Sequence, residues 1–298
     1  MRSRAFRQVD VFTAEPYLGN PVAVVLDGSD LDDDAMAAFA RWTNLSETTF
    51  VLPPTDDGRA AGADYRLRIF TPTVELPFAG HPTLGSCHAW LEAGGEAAAP
   101  ERVVQECRAG LVELRREDGR LAFAAPPRLR TGPLEDELLD RVRAGLGLRR
   151  DEVRAHAWVD NGPGWCAVLL ESAERVLEVT ADFGVLGGAK IGVVAGHDVG
   201  VVGPRTGDDG IAFELRAFFP HAPGADGVVT SGAEDPVTGS LNASVAQWLR
   251  EEGLAPASYV AAQGTALRRA GRVHVDDDGE RIWVGGDCVT CISGAVEL

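Results

Sequence analysis

The segment from Asn44 to Phe50 contains the first residue suited to acid–base chemistry, Glu47. It lies where a predicted helix gives way to a predicted strand, and a carboxylate at such a junction can point into a cleft and exchange a proton. Two structural roles compete with this interpretation. Glu47 and Asn44 have the spacing of a capping-box-like turn, or Glu47 is simply solvated, and spacing alone slightly favours these roles.

A second candidate is the segment from Phe78 to Gly85, which contains Gly80 and His81 followed by Pro82. Free backbone N–H groups at a helix start bind anions, and a histidine exchanges a proton near neutral pH. The alternative is a histidine that only caps the helix.

The third candidate runs from Glu234 to Ser240 and contains Asp235 and Gly239. Asp before Pro is a common N-cap, and Ser240 has the alternative of bonding back to its own turn. Each of the three segments is modest evidence by itself.

An internal repeat connects the second and third segments. Arg68-Ile69-Phe70-Thr71-Pro72 is followed, half a chain length later, by Arg216-Ala217-Phe218-Phe219-Pro220. Each copy precedes a predicted helix that has Pro at its first position and a polar N-cap, His81 in one half and Asp235 in the other. We therefore expect His81 and Asp235 to occupy equivalent places, with helices that run to about Ala93 and Glu252.

The early turns of both helices are small or apolar nearly all round, which is typical of buried helices. Alternating and β-branched runs predict strands around them. The predicted strands are Val9–Thr13, Pro21–Leu26, Thr48–Leu52, Tyr65–Phe70, Leu111–Arg115, Cys166–Leu170, Phe213–Phe218, Val273–Val275 and Ile282–Val284. Further helices are predicted over Asp32–Trp42 and Glu135–Gly145. The pattern indicates an α+β protein in which each half wraps strands around a central helix.

Composition narrows the function. A formal charge of −17 repels phosphate backbones and anionic membranes, and no apolar run approaches the about 20 residues of a membrane helix. We therefore expect a cytoplasmic protein without nucleic-acid or membrane partners. The odd set of five cysteines has no disulfide framework, and Cys288 and Cys291 are interpreted as two core thiols.

Cofactor and metal motifs are missing from the sequence. Its one lysine, Lys190, is not part of a phosphate-binding loop, and neither a dinucleotide fingerprint nor metal-ligand histidine spacing occurs. The expectation is acid–base chemistry by side chains alone, with no cofactor and no metal, on a small carboxylic acid held by the two helix starts.

Five segments together resemble the phenazine-biosynthesis PhzF-like family, over nearly the whole chain. They are Val9–Thr13, Gly19–Val25, Asn44–Phe50, Phe70–Gly85 and Glu234–Ser240. The resemblance implies a diaminopimelate-epimerase-like fold with two pseudo-symmetric domains, each a mostly antiparallel, barrel-like sheet around a central helix. It also implies an active site between the domains, no cofactor and a homodimer. We expect the domains at 1–127 and 128–284, with a C-terminal strand of about 285–298 returning to the first.

Carried over by resemblance, the catalytic residues are Glu47, His81 and Asp235. The substrate-binding residues are Ser46, Gly80, Gly239 and Ser240. Related racemases use two cysteines, but Ala79 stands at the first thiol position and the segment Asp235–Ser240 contains none.

The leading hypothesis is a proton-shift isomerase in which Glu47 moves a proton within an unsaturated, carboxylate-bearing metabolite. The alternatives are an epimerase without thiols and a metabolite-binding homologue without catalysis. The sequence departs from the family in the loop 220–233, which is longer and richer in glycine than expected, and at Leu241-Asn242.

Overall fold

The computed structural model describes residues 1–117, 119–187, 198–207, 209–221, 229 and 231–298. The chain divides into two compact units, one made of Met1–Ala124 with Trp283–Leu298 and the other of Ala125–Ile282. The division falls three residues before the boundary predicted at 127/128. Lys190 and most of the 220–233 loop lie outside the described residues.

The strands and helices of the described residues follow in chain order. The strands are β1 Ser3–Val11, β2 Asn20–Val25, β3 Glu47–Leu52, β4 Tyr65–Phe70, β5 Glu75–Leu76, β6 Arg102–Cys107, β7 Gly110–Glu117, β8 Arg120–Ala124, β9 Ala155–Trp158, β10 Cys166–Leu169, β11 Val199–Pro204, β12 Ile211–Pro220, β13 Gly232–Asp235, β14 Ser258–Gln263, β15 Gly271–Asp277, β16 Ile282–Gly286 and β17 Cys288–Glu297. The helices are α1 Asp33–Thr43, α2 Asp56–Ala60, α3 Gly80–Glu92, α4 Asp136–Gly145, α5 Ala173–Glu178, α6 Phe183–Leu186 and α7 Gly239–Glu251. All nine predicted strands and the predicted helices are present, with ends that differ by a few residues.

The sheet of the first unit is nearly closed on itself. Its strands pair in the order β17, β1, β2, β3, β4, β6, β7, β8, β16, with β5 beside the end of β4. Only Asp287 separates β16 from β17. One extended segment therefore pairs with β8 through β16 and with β1 through β17. The tail predicted to return to the first half is therefore a strand of its sheet.

Helix α3 lies inside this sheet and contacts β1, β2, β3, β4, β8 and β17. Its first eight residues, from Gly80 to Cys87, are buried, as the small and apolar early turns predict. Gly85 permits the close approach of helix and sheet, because a Cβ there would lie 2.5 Å from Val22 and 2.8 Å from Val11.

The second unit repeats this strand order around α7. Its strands pair in the order β9, β10, β11, β12, β14, β15, with β13 beside the end of β12, and the parallel and antiparallel pairs follow the same sequence as β1 to β7. Gly200 of β11 faces α7, since a Cβ there would lie 2.6 Å from Leu241. The fold is the predicted α+β architecture, with sheet pairs that are mostly antiparallel.

The internal repeat includes a duplicated ion pair. Arg68 donates through Nε and Nη2 to the carboxylate of Glu75, at 2.8 and 2.9 Å. Arg216 donates in the same way to Glu234, at 2.9 and 2.7 Å. Each glutamate lies five residues before its central helix, and both helices are 13 residues long. The repeat found in the sequence is thus a repeat of contacts as well as of strands.

The pair Cys288 and Cys291 differs from the prediction of two core thiols. Both cysteines lie in β17, where they are half-buried and free. None of the helices in the described part of the chain is long and apolar enough to cross a membrane.

Candidate active site

Glu47 opens strand β3 and lies beside Val22 of the parallel strand β2. Only 14% of its side chain is exposed, which excludes the solvated alternative. The capping alternative is also wrong, because Asn44 ends helix α1 with φ 53° instead of beginning a helix. A carboxylate at this junction does point inward.

His81 is the second residue of α3 and is 5% exposed. Its Nε2 lies 3.2 Å from Oε2 of Glu47. On the other side of the ring, the amide nitrogen of Asn20 lies 3.4 Å from Nδ1. The structure therefore brings Glu47, Gly80 and His81 together at one helix start.

Burial sets the charge of His81. It lowers the pKa of the imidazole to about 3, and a hydrogen bond to the Pro21 carbonyl offsets only part of this effect. With such a pKa the ring is neutral near pH 7, whereas the sequence predicted a histidine that exchanges a proton there. A neutral imidazole carries one N–H, so the ring donates to the Pro21 carbonyl through one nitrogen and accepts at the other.

The starts of α3 and α7 differ from the predicted caps. Ala79 and Thr238 are the N-cap residues, neither makes a side-chain cap bond, and neither helix has an acidic residue in its first turn. His81 and Asp235 are therefore not N-caps, and their proline neighbours are not first helical residues. Since both helices begin with a Gly, the counterpart of His81 in the second unit is Ser240.

Helix α1 shows how an ordinary helix start is capped. Its N-cap Asp32 accepts from the N–H of Ala35, and Asp33 and Asp34 add negative charge to the first turn. The positive ends of α3 and α7 have no such compensation from their own first turns, and this leaves them suited to an external anion.

Asp235 ends β13 and belongs to a buried polar network. Its carboxylate accepts the Thr238 hydroxyl at 2.6 Å, and Gln263 accepts the Thr238 N–H at 3.0 Å. Gln263 also accepts from the side chain of Asn242 at 2.8 Å. This network holds the chain in extended form past Pro236, so α7 starts four residues later than Asp235.

Ser240 does not simply bond back to its own turn. Its Oγ accepts from the indole nitrogen of Trp165 at 3.1 Å, while its carbonyl accepts from Asn161 at 2.9 Å. Gly239 beside it is buried. In the first unit Ser46, also a predicted binding residue, is exposed next to Glu47.

Sequence reasoning did not single out Asn20, Trp165 or Gln263 as site residues. The sequence did contain a signal for Asn20, because a polar residue directly before the predicted strand Pro21–Leu26 needs a partner once it is buried. Trp165 and Gln263 are recognisable only from contacts. Among the described residues, no group of three His, Cys, Asp or Glu side chains is arranged to hold a metal ion.

The model of the phenazine biosynthesis-like (PhzC-PhzF) family matches residues 9–294. The chain belongs to this family. Antisense-enhancing sequence 1 of Schizosaccharomyces pombe is 37% identical to it over 99% of both chains. The trans-2,3-dihydro-3-hydroxyanthranilate isomerase of Pseudomonas aeruginosa is 48% identical over 38% of each chain. A PhzF-family crystal structure from Bacillus anthracis, 20% identical, covers all of both chains with a TM-score of 0.80 and supports the fold.

Membership of the PhzC-PhzF family, together with relatives that are named isomerases, makes this protein an isomerase. The cysteines of this PhzF-family isomerase do not form a thiol pair at the helix starts. Cys87 and Cys166 are buried, and burial raises the pKa of each thiol to about 12. Neither is available as a thiolate at neutral pH.

Proposed function

We propose that this isomerase catalyses a cofactor-independent proton shift on a small, unsaturated, carboxylate-bearing metabolite, with Glu47 as the general acid and base. The observation that carries the proposal is the largely buried carboxylate of Glu47, which lies 3.2 Å from the neutral, buried imidazole of His81. A carboxylate needs such a sheltered position to accept a proton from carbon and keep it.

His81 acts as a positioning residue in this proposal. The neutral ring lies beside Glu47 without neutralising its charge, and its contacts with Asn20 and the Pro21 carbonyl hold it in place. A charged imidazolium would stabilise the carboxylate and weaken it as a base. Burial of His81 therefore supports the basicity of Glu47.

The substrate carboxylate is proposed to bind at the uncapped helix starts. The first N–H groups of a helix have no partner within the helix, and the sequence pairs Gly80-His81 and Gly239-Ser240 place a glycine at each start. Since the protein carries a formal charge of −17, such local dipoles are what attracts an anion.

The proposed class of substrate is supported by this site and by the relatives. The Pseudomonas isomerases are named for trans-2,3-dihydro-3-hydroxyanthranilate, which joins a carboxylate to ring double bonds. Glu47 would take the proton from a carbon made acidic by an adjacent double bond. It then returns this proton to another carbon of the same molecule, so that a double bond moves and no net proton is consumed.

Asp235 is proposed to assist through Thr238 and Gln263, whose network fixes the start of α7. Ser46, Gly239 and Ser240 are proposed to contact the substrate. The homodimer implied by the resemblance and the cytoplasmic location expected from the composition remain predictions, and light scattering after size-exclusion chromatography tests the dimer.

The central experiment compares wild type with Glu47→Gln in D₂O, with trans-2,3-dihydro-3-hydroxyanthranilate as the probe substrate and NMR as the readout. The amide keeps the shape of the side chain but cannot carry the proton. We expect turnover and deuterium incorporation to fall by about 10²–10⁴-fold, the usual contribution of a positioned acid–base group.

Glu117→Gln is the matched control, because it makes the same charge change on β7 at a carboxylate that is 63% exposed. It should leave the rate within about twofold of wild type. Full activity of Glu47→Gln would show that Glu47 does not transfer the proton. If wild type binds the probe without isotope exchange, the protein is not an isomerase of this substrate.

A further inference from the structure

Strand register identifies a counterpart of Glu47 in the second unit. Thr48 lies opposite Phe70 in the first unit, and Val199 lies opposite Phe218 in the second. The repeat equates the two phenylalanines, because each follows the arginine of its duplicated ion pair by two positions. Thr48 therefore corresponds to Val199, and the residue before Val199 corresponds to Glu47. That residue is Asp198.

Asp198 directly precedes β11, and the alternation of that strand places its side chain on the face that looks onto α7. A Cβ at Gly200 would lie 2.6 Å from Leu241 of α7, which fixes the direction of that face. Residues two apart in extended backbone share a face, so Asp198 shares the face of Gly200. Ser240, at the start of α7, directly precedes Leu241.

Trp165 provides an independent link between Asp198 and this helix start. The N–H of Cys166 donates to the carbonyl of Asp198 at 3.0 Å, which makes Trp165 the neighbour of Asp198 on the adjacent strand. The Trp165 indole donates to Oγ of Ser240. In the first unit, Val22 is the corresponding neighbour of Glu47 and packs against α3 at Gly85.

The surroundings of Asp198 favour its protonated form. Burial raises its pKa to about 7, and the negative charge of Asp160 adds to this effect. Asp160 is held in place by the N–H groups of Gly162 and Gly164, each at 2.7 Å. Of the other titratable groups nearby, Cys166 is a buried neutral thiol, and the arginines Arg130 and Arg141 act on it from a distance.

We propose that Asp198 is a further catalytic acid of this enzyme, which donates its proton to the carboxylate end of the substrate at the start of α7. The proposal rests on the proposed function. When the substrate loses its carbon-bound proton, negative charge spreads to its carboxylate oxygens, and the O–H proton of Asp198 passes to one of them. When the carbon is reprotonated, that proton returns to Asp198, so no proton is gained or lost.

The first test is the pH dependence of turnover in wild type and Asp198→Asn. Wild type should lose kcat as pH rises through about 7, because the acid form of Asp198 is consumed. The asparagine donates a hydrogen bond but no proton, so the variant should lack this step and turn over about 10²-fold more slowly below pH 7. An unchanged pH profile with wild-type kcat would overturn the proposal.

Asp160→Asn tests the same proposal in a protein that keeps Asp198. The asparagine retains the oxygen that accepts from Gly162 and Gly164 but removes the neighbouring charge. The step in kcat should move to lower pH. If the step in kcat stays at the same pH after the Asp160 charge is removed, Asp198 is not the group that causes it. This test can be carried out even if Asp198→Asn does not fold.

A carboxyl-carbon NMR titration separates this proposal from the proposed function. The spectrum of wild type should contain an aspartate resonance that titrates near pH 7 and is missing in Asp198→Asn. If wild type lacks that resonance, the proposed role of Asp198 is wrong, whereas the proposed role of Glu47 is not affected. If Glu47→Gln keeps full activity, the proton shift by Glu47 fails instead, and the titration of Asp198 still stands.

Discussion

The starts of α3 and α7 show one backbone arrangement with two electrostatic outcomes. In the first unit a carboxylate faces a neutral imidazole, whereas in the second a carboxyl group lies near another carboxylate and an indole. Burial acts on both, but it lowers the pKa of His81 and raises that of Asp198. The duplicated backbone therefore fixes where a titratable group lies, while the neighbours of that group fix which protonation state it holds.

The largest difference between the units is expected at the duplicated ion pair. Arg216 is 8% exposed and also donates to the carbonyls of Val176 and Val179, whereas Arg68 is 14% exposed and has the exposed Asp33 as its further partner. Arg216→Met leaves Glu234 buried without its cation, and we expect a loss of about 3–5 kcal/mol in the free energy of unfolding.

Arg68→Met is the matched variant and should cost less, since Glu75 is 21% exposed and water can solvate it. Urea unfolding followed by circular dichroism measures both. Equal losses would show that the two ion pairs are energetically equivalent despite their difference in burial.

The next effect is the acid sensitivity caused by His81. Its folded-state pKa of about 3 lies below the ordinary value of 6.5, so the unfolded chain binds the extra proton between these values. Stability should therefore fall as pH decreases through this window, by up to about 1.4 kcal/mol per pH unit from this group.

His81→Gln removes the titration and should flatten this part of the pH–stability curve, measured by urea unfolding between pH 6.5 and 4. His221→Gln, at an exposed histidine, is the control and should leave the slope unchanged. If His81→Gln keeps the full slope, another group is responsible for the acid sensitivity.

The smallest effect concerns how closely each helix approaches its sheet. Gly85→Ala places a methyl group against Val22 and Val11, whose β-branched side chains are stiff, and should cost about 1–3 kcal/mol. Gly200→Ala meets the flexible end of Leu241 and should cost less. Thermal unfolding of the two variants compares them, and a larger loss for Gly200→Ala would reverse the expectation.

Much of the architecture was predictable because it rests on patterns within short segments. Tyr65–Phe70 alternates in hydrophobicity and is observed as a strand with those ends. The repeat around Arg68 and Arg216 was also visible in the sequence. The helix starts were placed wrongly because the rule for Pro at a first helical position is local, whereas Gln263 and Thr238 hold the chain extended through contacts distant in sequence.

The electrostatic features of the site could be derived only once the fold was known. No local pattern shows that His81 is buried enough to stay neutral, because its burial comes from strands on both sides of α3. Asp198 carries no motif at all, and only the strand register relates it to Glu47. Glu47 itself was identified from its junction and from the family resemblance, although spacing alone favoured a structural role.

The pairing of β17 with β1 has a consequence for the order in which the chain folds during synthesis. Ser3 lies opposite Glu297, so β1 cannot complete its hydrogen bonds until β17 has been synthesised. The second unit is continuous from Ala125 to Ile282 and has no such delay. We expect the second unit to reach its native contacts first, while the first unit stays incomplete until β17 has been synthesised.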